Sequence, residues 1–257
     1  MFDLQKEFPN VPWKPQKITD ILGECAETYV KKFKEWEALE EIFDDEKALY
    51  TLRNPNYVKE KVCMYVDGNG FMMLYGEYGS FAFDRMTWQV DPYTLNCHEL
   101  SYMLGKASKD SEEAIYIFDA EKCKEDLYTW FKLMFDGTKL RDDAKAFGRI
   151  CEILDSAAIL STASDYEDEL ETVLNEFGFY DDDFRKEVVM FVFNALGNMN
   201  DGKFSWQMFL NNSHGKYENM ENDDILELCE AGKKINPSVL ISLLAIFICG
   251  AKLRGEM

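Results

Sequence analysis

The amino-acid sequence predicts an α+β fold, in which a small antiparallel β-meander is covered by helices and followed by a mainly helical C-terminal region. Apolar side chains alternate with a period of two through residues 62–83, where glycine-rich turns interrupt them. Apolar spacings of three and four residues precede this stretch and recur beyond residue 140. We therefore expect an α+β domain at residues 1–140 and a helical domain at residues 141–257. The boundary is soft because no linker rich in Pro, Gly or Ser marks it, so a single domain stays open.

The first predicted element is a long helix. Pro15 suits the first turn of a helix, and apolar residues then recur at intervals of three, four and seven positions up to an expected end near Leu49. The other face of the segment is densely charged, which is typical of the solvent side of an amphipathic helix. The apolar face consists of Ile18, Leu22, Cys25, Tyr29, Phe33, Trp36 and Phe43.

Three strands form the predicted meander. They are expected at residues 62–66, at residues 71–75, and through Phe81 and Phe83 towards Trp88. Asp-Gly-Asn-Gly at residues 67–70 is typical of a hairpin turn that needs positive φ angles. A meander alone is only marginally stable, so we expect the first helix and residues 94–106 to cover one of its faces.

Helical patterns dominate the rest of the chain, after a short strand expected at residues 114–118. Asp119 is well placed to cap the helix that follows this strand. The last apolar run, residues 239–249, is far shorter than the roughly 20 residues of a membrane span. We expect a buried helix there, with an oligomer contact as the alternative. Amphipathic patterns between these segments predict helices around residues 144–154, 170–177, 188–196 and 225–229.

The net charge is the least ordinary property of the chain. It has 48 Asp and Glu against 28 Lys and Arg, a formal net charge of -20. Such a field repels phosphate backbones and anionic lipids, so we expect neither direct nucleic-acid binding nor membrane binding. The same field attracts basic surfaces, such as those of nucleic-acid-binding proteins. The alternative is that the acidity only keeps the protein soluble.

The sequence contains no catalytic signature. Its two histidines, His98 and His214, do not lie in patterns typical of a nucleophile and its base. An EF-hand alignment on Gly202 places Met208 where the bidentate Glu belongs, and no phosphate-binding loop is present. We therefore predict a non-enzymatic protein with no cofactor and no metal. Seven scattered cysteines without a C-x-x-C pair, and a start without a basic and apolar leader, predict a cytoplasmic location.

Three acidic segments contain the candidate partner-binding residues. Carboxylates three and four residues apart on a helix lie roughly 5–6 Å from one another, so rows of them approximate the charge spacing of a nucleic-acid strand. Such a row would bind a basic cleft in competition with nucleic acid. The alternatives are a solvated helix face and a two-metal site. The candidate residues are Asp165, Glu167, Asp168, Glu169, Glu171, Asp181, Asp182, Asp183, Glu221, Asp223, Asp224 and Glu227.

A family resemblance is carried by three segments in the middle of the chain. They are Gly-Glu-Tyr-Gly-Ser-Phe-Ala-Phe at residues 76–83, Tyr-Met-Leu-Gly-Lys at residues 102–106, and Tyr-Ile-Phe-Asp-Ala-Glu-Lys at residues 116–122. Together they resemble a family of uncharacterised phage and prophage proteins with a G-[DE]-Y-G-x-[WF]-x-F strand motif, over about residues 60–135. Residues 85–87 depart from the pattern by lengthening the interval to the next aromatic residue. No functional residue carries over, and on physical grounds Glu77 and Tyr78 are expected to form a tight turn with a packed ring.

The resemblance implies an accessory protein of a phage or prophage, and acidic proteins of this kind often act against host defence systems. Together with the charge, it predicts a non-enzymatic anti-defence inhibitor that mimics nucleic acid and binds a basic surface of a CRISPR effector or defence nuclease. The expected partner is a basic host protein or ribonucleoprotein complex, and a homo-oligomer is a further expectation. Two alternatives stay open. One is a metal-dependent nucleotide or nucleic-acid enzyme that uses an acidic cluster, and the other is an oligomeric structural accessory protein whose interface is the apolar final helix.

Overall fold

The structure is a computed structural model in which the chain divides into two compact units, Met1–Tyr116 with Ile235–Met257, and Ile117–Lys234. It has the predicted α+β fold, with a five-stranded antiparallel sheet, covering helices and a helical region later in the chain. The boundary expected near residue 140 and the helix expected at residues 225–229 lie outside the described residues. The residues that the structure describes are 16–44, 46–84, 92–93, 100–108, 111, 114–119, 121–122, 125–126, 128–130, 148–153, 164–176, 183, 185–187, 189 and 232–256.

Two short helices begin the described part of the first unit: α1, Gln16–Leu22, and α2, Cys25–Lys34. Gly23 lies between them with a φ of 57°, a left-handed conformation that favours glycine. The two helices bury one apolar face, which includes the predicted Ile18, Leu22 and Phe33, whereas Cys25, predicted on this face, is exposed and Tyr29 is partly buried. The buried apolar side chains are Ile18, Leu22, Ala26, Val30 and Phe33.

The prediction of one long helix ending near Leu49 is wrong for its second half. The chain there forms two strands, β1 (Glu37–Asp44) and β2 (Lys47–Arg53). Phe43 matches the helical spacing but is exposed on β1. Burial of one face of β2 in the core outweighs the helical preference of the Glu and Lys residues around it. The side chains of β2 that alternate into the core are Ala48, Tyr50 and Leu52.

The five strands follow one another in the sheet in sequence order, and every neighbouring pair is antiparallel. The last three, β3 (Lys61–Val66), β4 (Met72–Gly76) and β5 (Gly79–Phe83), confirm the predicted meander. The turn between β3 and β4 is also present. There the N–H of Asp67 donates to the carbonyl of Phe71 at 3.1 Å. Trp88, towards which the third strand was expected to run, lies outside the described residues.

A buried helix near the C-terminal end of the chain packs against the sheet. This helix, α5 in chain order, spans Pro237–Leu253. Every residue from Val239 to Ala251 is buried, which confirms the predicted buried helix. The side chain of Asn236 caps α5 by accepting a hydrogen bond from the N–H of Ser238 at 2.9 Å. Its apolar residues form one core with those of α1, α2 and the sheet.

The segment at residues 94–106, expected to cover the meander, also contributes to this core. Its described part contains α3, Leu100–Leu104. The side chains of α3 in the core are Leu100, Met103 and Leu104. The core face of the sheet is therefore covered by the predicted elements and by α5, a helix that the sequence places far along the chain.

A short strand is present where residues 114–118 predict one. This strand, β6 (Tyr116–Phe118), pairs with β7 (Lys233–Ile235) in a two-stranded sheet. The cap predicted at Asp119 is confirmed, because its Oδ1 accepts a hydrogen bond from the N–H of Lys122 at 3.0 Å.

The second unit also contains the helix expected at residues 170–177. This helix, α4, spans Ser164–Glu176. Its buried face is the predicted one and consists of Leu170, Val173 and Leu174.

Candidate functional site

The strand β1 is the outermost strand on one side of the sheet, and its residues Glu37–Asp44 are named here the β1 edge. It pairs only with β2, from Glu37 opposite Arg53 to Asp44 opposite Lys47. Almost all of its side chains are exposed. An edge strand of this kind presents peptide groups and side chains to solvent at the same place.

Three apolar side chains of the β1 edge are exposed. Leu39 is 41% exposed, Ile42 67% and Phe43 54%. Phe43 is the extra residue of a β-bulge, since the register shifts between Ile42 and Asp44. Single exposed apolar residues are ordinary on protein surfaces, but three within five residues of an edge strand form a patch suited to contact with another chain.

Four carboxylates lie beside these apolar side chains on the β1 edge. Glu37 accepts hydrogen bonds from the guanidinium of Arg53 at 3.2 and 3.3 Å. Asp44 accepts from the N–H of Glu46 and from Lys47 Nζ, and these bonds lower the pKa of Asp44 below its ordinary value. The remaining two carboxylates, Glu40 and Glu41, have no ion pair within the part of the chain that the structure describes. Glu40 accepts a hydrogen bond from the hydroxyl of Tyr93 at 3.3 Å.

The direction of the peptide groups of β1 follows from the hydrogen bonds of the neighbouring strands. The N–H of Glu77 donates to the carbonyl of Lys61 at 2.9 Å, so Lys61 directs its peptide groups towards β4. Neighbouring residues of an antiparallel strand form their main-chain hydrogen bonds to opposite sides. Val62 therefore bonds to Leu52 of β2, and the next residue of β2, Arg53, bonds to Glu37 of β1. By the same alternation, the N–H and C=O groups that point away from β2 are those of Ala38, Glu40 and Ile42.

The opposite edge of the sheet is closed, which sets the β1 edge apart. The N–H of Ala82 on β5 donates to Ser111 Oγ at 2.8 Å, and its carbonyl accepts from the N–H of Ser108 at 2.8 Å. The N–H of Asp84 donates to the carbonyl of Lys106 at 2.7 Å. Within the described residues, no corresponding hydrogen bond is made by the outward peptide groups of β1. Among the described residues, one edge of this sheet is therefore hydrogen-bonded and the other is open.

The acidic segment predicted at residues 165–171 lies on α4. Asp168 and Glu169 are exposed on this helix. Glu171 is half-buried, and its Oε1 lies 3.6 Å from the guanidinium of the buried Arg185. This residue therefore has an internal electrostatic partner. Asp165 and Glu167 belong to the same helix, but their side chains are outside the described residues.

Of the other two predicted acidic segments, the structure describes only Asp183, whose side chain is exposed. The remaining candidates lie outside the described residues, and they are Asp181, Asp182, Glu221, Asp223, Asp224 and Glu227. Asp183 lies two positions before Arg185, whose guanidinium approaches Glu171 of the first segment.

The Gly-Glu-Tyr-Gly motif forms the turn between β4 and β5 and packs against α2. Lys32 Nζ donates to Glu77 Oε1 at 2.9 Å and to the hydroxyl of Tyr78 at 3.0 Å. Lys32 Nζ also lies 5.0 Å from the ring centroid of Trp36. Burial opposes the charge on Lys32, but the bonds to Tyr78 and Glu77 outweigh it and raise the pKa of Lys32 above its ordinary value. Glu77 and Tyr78 therefore form the expected tight turn with a packed ring.

The described residues contain four cysteines, of which Cys25 is exposed and Cys151 half-buried. Cys63 and Cys249 are buried, and burial raises the pKa of the Cys249 thiol to about 12, so the thiol is protonated at neutral pH. No group of three or more His, Cys, Asp or Glu side chains that could hold a metal is found in the described part of the chain. His98 and His214 lie outside that part.

Sequence reasoning missed the β1 edge because it assigned these residues to a helix. A signal was available in the next strand, where Ala48, Tyr50 and Leu52 recur with the two-residue period of a strand.

No helix among the described residues has the length and apolar character needed to cross a bilayer. Comparison with protein-family models, with curated proteins and with solved structures finds no match to this chain.

Proposed function

We propose that the protein is a non-enzymatic interaction protein that binds a basic surface of a partner protein or ribonucleoprotein complex. The observation that carries this proposal is the location of the surplus charge. The formal net charge is -20, and Glu187 is the sole buried carboxylate among the described residues. Apart from Glu187, the carboxylates of the described residues are exposed or half-buried, so the exposed ones can act on a partner.

The physical basis is electrostatic. A surface dense in carboxylates attracts a basic cleft at long range, which speeds association, and binding releases the counterions that the two surfaces hold. Each unit has exposed carboxylates that can contribute by themselves: Glu40 and Glu41 on β1 in the first, and Asp168 and Glu169 on α4 in the second. Because such attraction is screened by salt over about 10 Å at 0.1 M ionic strength, the complex should dissociate as salt is raised.

The narrower form of the proposal concerns biological context. The resemblance of residues 76–83 and their neighbours to phage and prophage proteins supports an anti-defence inhibitor that acts in the cytoplasm of a host cell. A CRISPR effector or a defence nuclease would offer the basic nucleic-acid-binding surface required. Mimicry of nucleic acid is the mode of inhibition that this charge favours.

The experiment is capture of partners from host lysate on the immobilised protein, with elution by rising salt and, separately, by double-stranded DNA. We expect recovery of a basic nucleic-acid-binding protein or complex that both treatments release. A matched control is immobilised bovine serum albumin, an acidic protein of unrelated fold. If the proteins recovered are neutral or acidic, or if neither salt nor DNA releases them, the proposed function is wrong.

A further inference from the structure

We propose that the β1 edge is a docking site that binds an extended, basic segment of the partner as a sixth strand of the sheet. This inference rests on the proposed function and deepens it, because it names the contact surface and the conformation of the partner segment. Its first support is the open row of peptide groups. Ala38, Glu40 and Ile42 each direct one N–H and one C=O outward, and the described residues provide no hydrogen bond to them.

The length of the edge suits strand addition. β1 has eight residues, and an antiparallel strand rises about 3.4 Å per residue. The bulge at Phe43 interrupts the regular pairing near one end, so the regular part of the edge is Glu37–Ile42. A bound segment would make its main-chain hydrogen bonds at alternate residues along this part.

The side chains of the β1 edge define the chemistry of the segment. One face of the sheet presents Leu39 and Glu41 at the edge, and the other presents Glu40 and Ile42. Each face therefore offers a carboxylate beside an exposed apolar side chain. Opposite charges and apolar side chains stabilise cross-strand pairs, so a complementary segment carries Lys or Arg opposite the carboxylates and aliphatic residues opposite Leu39 and Ile42.

The same charges select against a second copy of this chain. Antiparallel pairing of two β1 edges would bring Glu40 and Glu41 of one copy close to those of the other, and like charges opposite one another destabilise a pair. Each copy would also carry a formal net charge of -20. Carboxylates at an open edge thus oppose self-association and attract a basic strand. Charge complementarity therefore favours a basic segment of the partner over a second copy of this chain.

The probe for the experiment is an eight-residue capped peptide, Lys-Val-Val-Lys-Lys-Val-Val-Lys, matched to the eight residues of β1 so that lysines lie opposite Glu40 and Glu41 and valines opposite Leu39 and Ile42. The control peptide has the same sequence with N-methyl groups on alternate peptide nitrogens, which keeps the charge and side chains but removes main-chain donors. Affinities are measured by isothermal titration calorimetry. We expect the N-methylated peptide to bind about tenfold more weakly or worse, which corresponds to loss of one or two main-chain hydrogen bonds.

The variant for this test is Ala38→Pro, with Ala38→Ser as its matched control. Proline at residue 38 removes an outward N–H without changing the charge and without removing a hydrogen bond to β2. We expect the Pro variant to lose about tenfold in affinity for the unmodified peptide and the Ser variant to bind as the native chain does. Circular dichroism checks that both variants are folded. As a second variant, Glu40→Lys with Glu41→Lys should abolish binding.

The outcomes separate this inference from the proposed function. If both peptides bind equally well and Ala38→Pro has no effect, binding is electrostatic only, and strand addition is overturned while the proposed function stands. If neither peptide binds, the docking inference is overturned, and capture from lysate still decides the proposed function by itself. Concentration-dependent dimers that Ala38→Pro abolishes would show that the occupant is a second copy, and would overturn the assignment to a basic partner.

Discussion

Replacing Lys32 with Met is expected to lower the free energy of unfolding by about 1–2 kcal/mol. The ammonium of Lys32 bonds to Glu77 and to Tyr78, and so ties the turn between β4 and β5 to α2. Hydrogen bonds to charged groups contribute about 1.5–3 kcal/mol when buried, whereas exposed ion pairs contribute about 0–1 kcal/mol. The side chains of Lys32 and Glu77 are 33% and 30% exposed, which places this contact between those limits. Methionine retains the packing of the aliphatic stem, so the loss reports on the charge.

The measurement is urea unfolding followed by circular dichroism and analysed by linear extrapolation. A double-mutant cycle with Tyr78→Phe should give a coupling energy of about 1 kcal/mol between the two residues. The matched control is Lys31→Met on the same helix, because the Lys31–Glu27 pair at 2.6 Å is mostly exposed and should contribute less than about 0.5 kcal/mol. Equal losses for the two lysine variants, or additivity of Lys32→Met with Tyr78→Phe within about 0.3 kcal/mol, would refute the structural role given to the motif.

Three further predictions follow from the described residues. Gly76→Ala should lower the free energy of unfolding in urea by about 2 kcal/mol or more, because φ is 141° and an added Cβ would lie 2.1 Å from the carbonyl oxygen of Lys61. The control is Gly148→Ala, where space is open, and its free energy of unfolding should stay within about 1 kcal/mol of that of the native protein. Cys249 should resist iodoacetamide until the protein unfolds, whereas the exposed Cys25 should react at once, as measured by mass spectrometry of the two peptides. The proposed function predicts that Mg²⁺ or Mn²⁺ leaves the melting temperature unchanged, since a metal bound only by the folded chain would raise it.

Each of these predictions has a contrary result. Equal stability of the two alanine variants would mean that the turn at Gly76 can relax. Rapid alkylation of Cys249 in the native protein would contradict the burial of α5. A melting temperature that rises with Mg²⁺ or Mn²⁺ would favour the alternative of a metal-dependent enzyme.

The raised pKa of Cys249 also makes the stability of the fold depend on pH. The folded chain keeps a proton that the unfolded chain releases, so this contribution is present below pH 9 and is lost as pH rises towards about 12.

The part of the fold that sequence reasoning predicted best is the meander β3–β5. Buried and half-exposed residues alternate along β4, and along β3 apart from the buried Cys63. The turn at residues 67–70 has the Asp, Asn and Gly residues typical of a hairpin. β1 has neither signal, because an edge strand that is exposed on both faces places no regular apolar row in the core. Trp36 and Phe43, at a spacing of seven residues, then favoured a helix over a strand. An exposed edge is the element whose pattern is least constrained by burial.

The position of α5 was also beyond sequence reasoning. Its apolar run predicts burial on all sides, but such a run contains no information on which surface covers it. The candidate site shows the same limit. Exposure of Asp168 and Glu169 follows from the helical period of α4, whereas the contact of Glu171 with Arg185 depends on residues fourteen positions apart in sequence and could not be predicted from local spacing.

The placement of α5 has a consequence for biosynthesis. The sheet is complete by residue 83, but the helix that supplies the centre of its apolar core begins at Pro237. During translation, the five strands therefore leave the ribosome long before α5 is synthesised. Until then we expect their apolar face to be bound by chaperones or loosely collapsed. Nascent chains stalled before residue 237 should be highly sensitive to proteolysis in the sheet, and those released after residue 253 should become resistant.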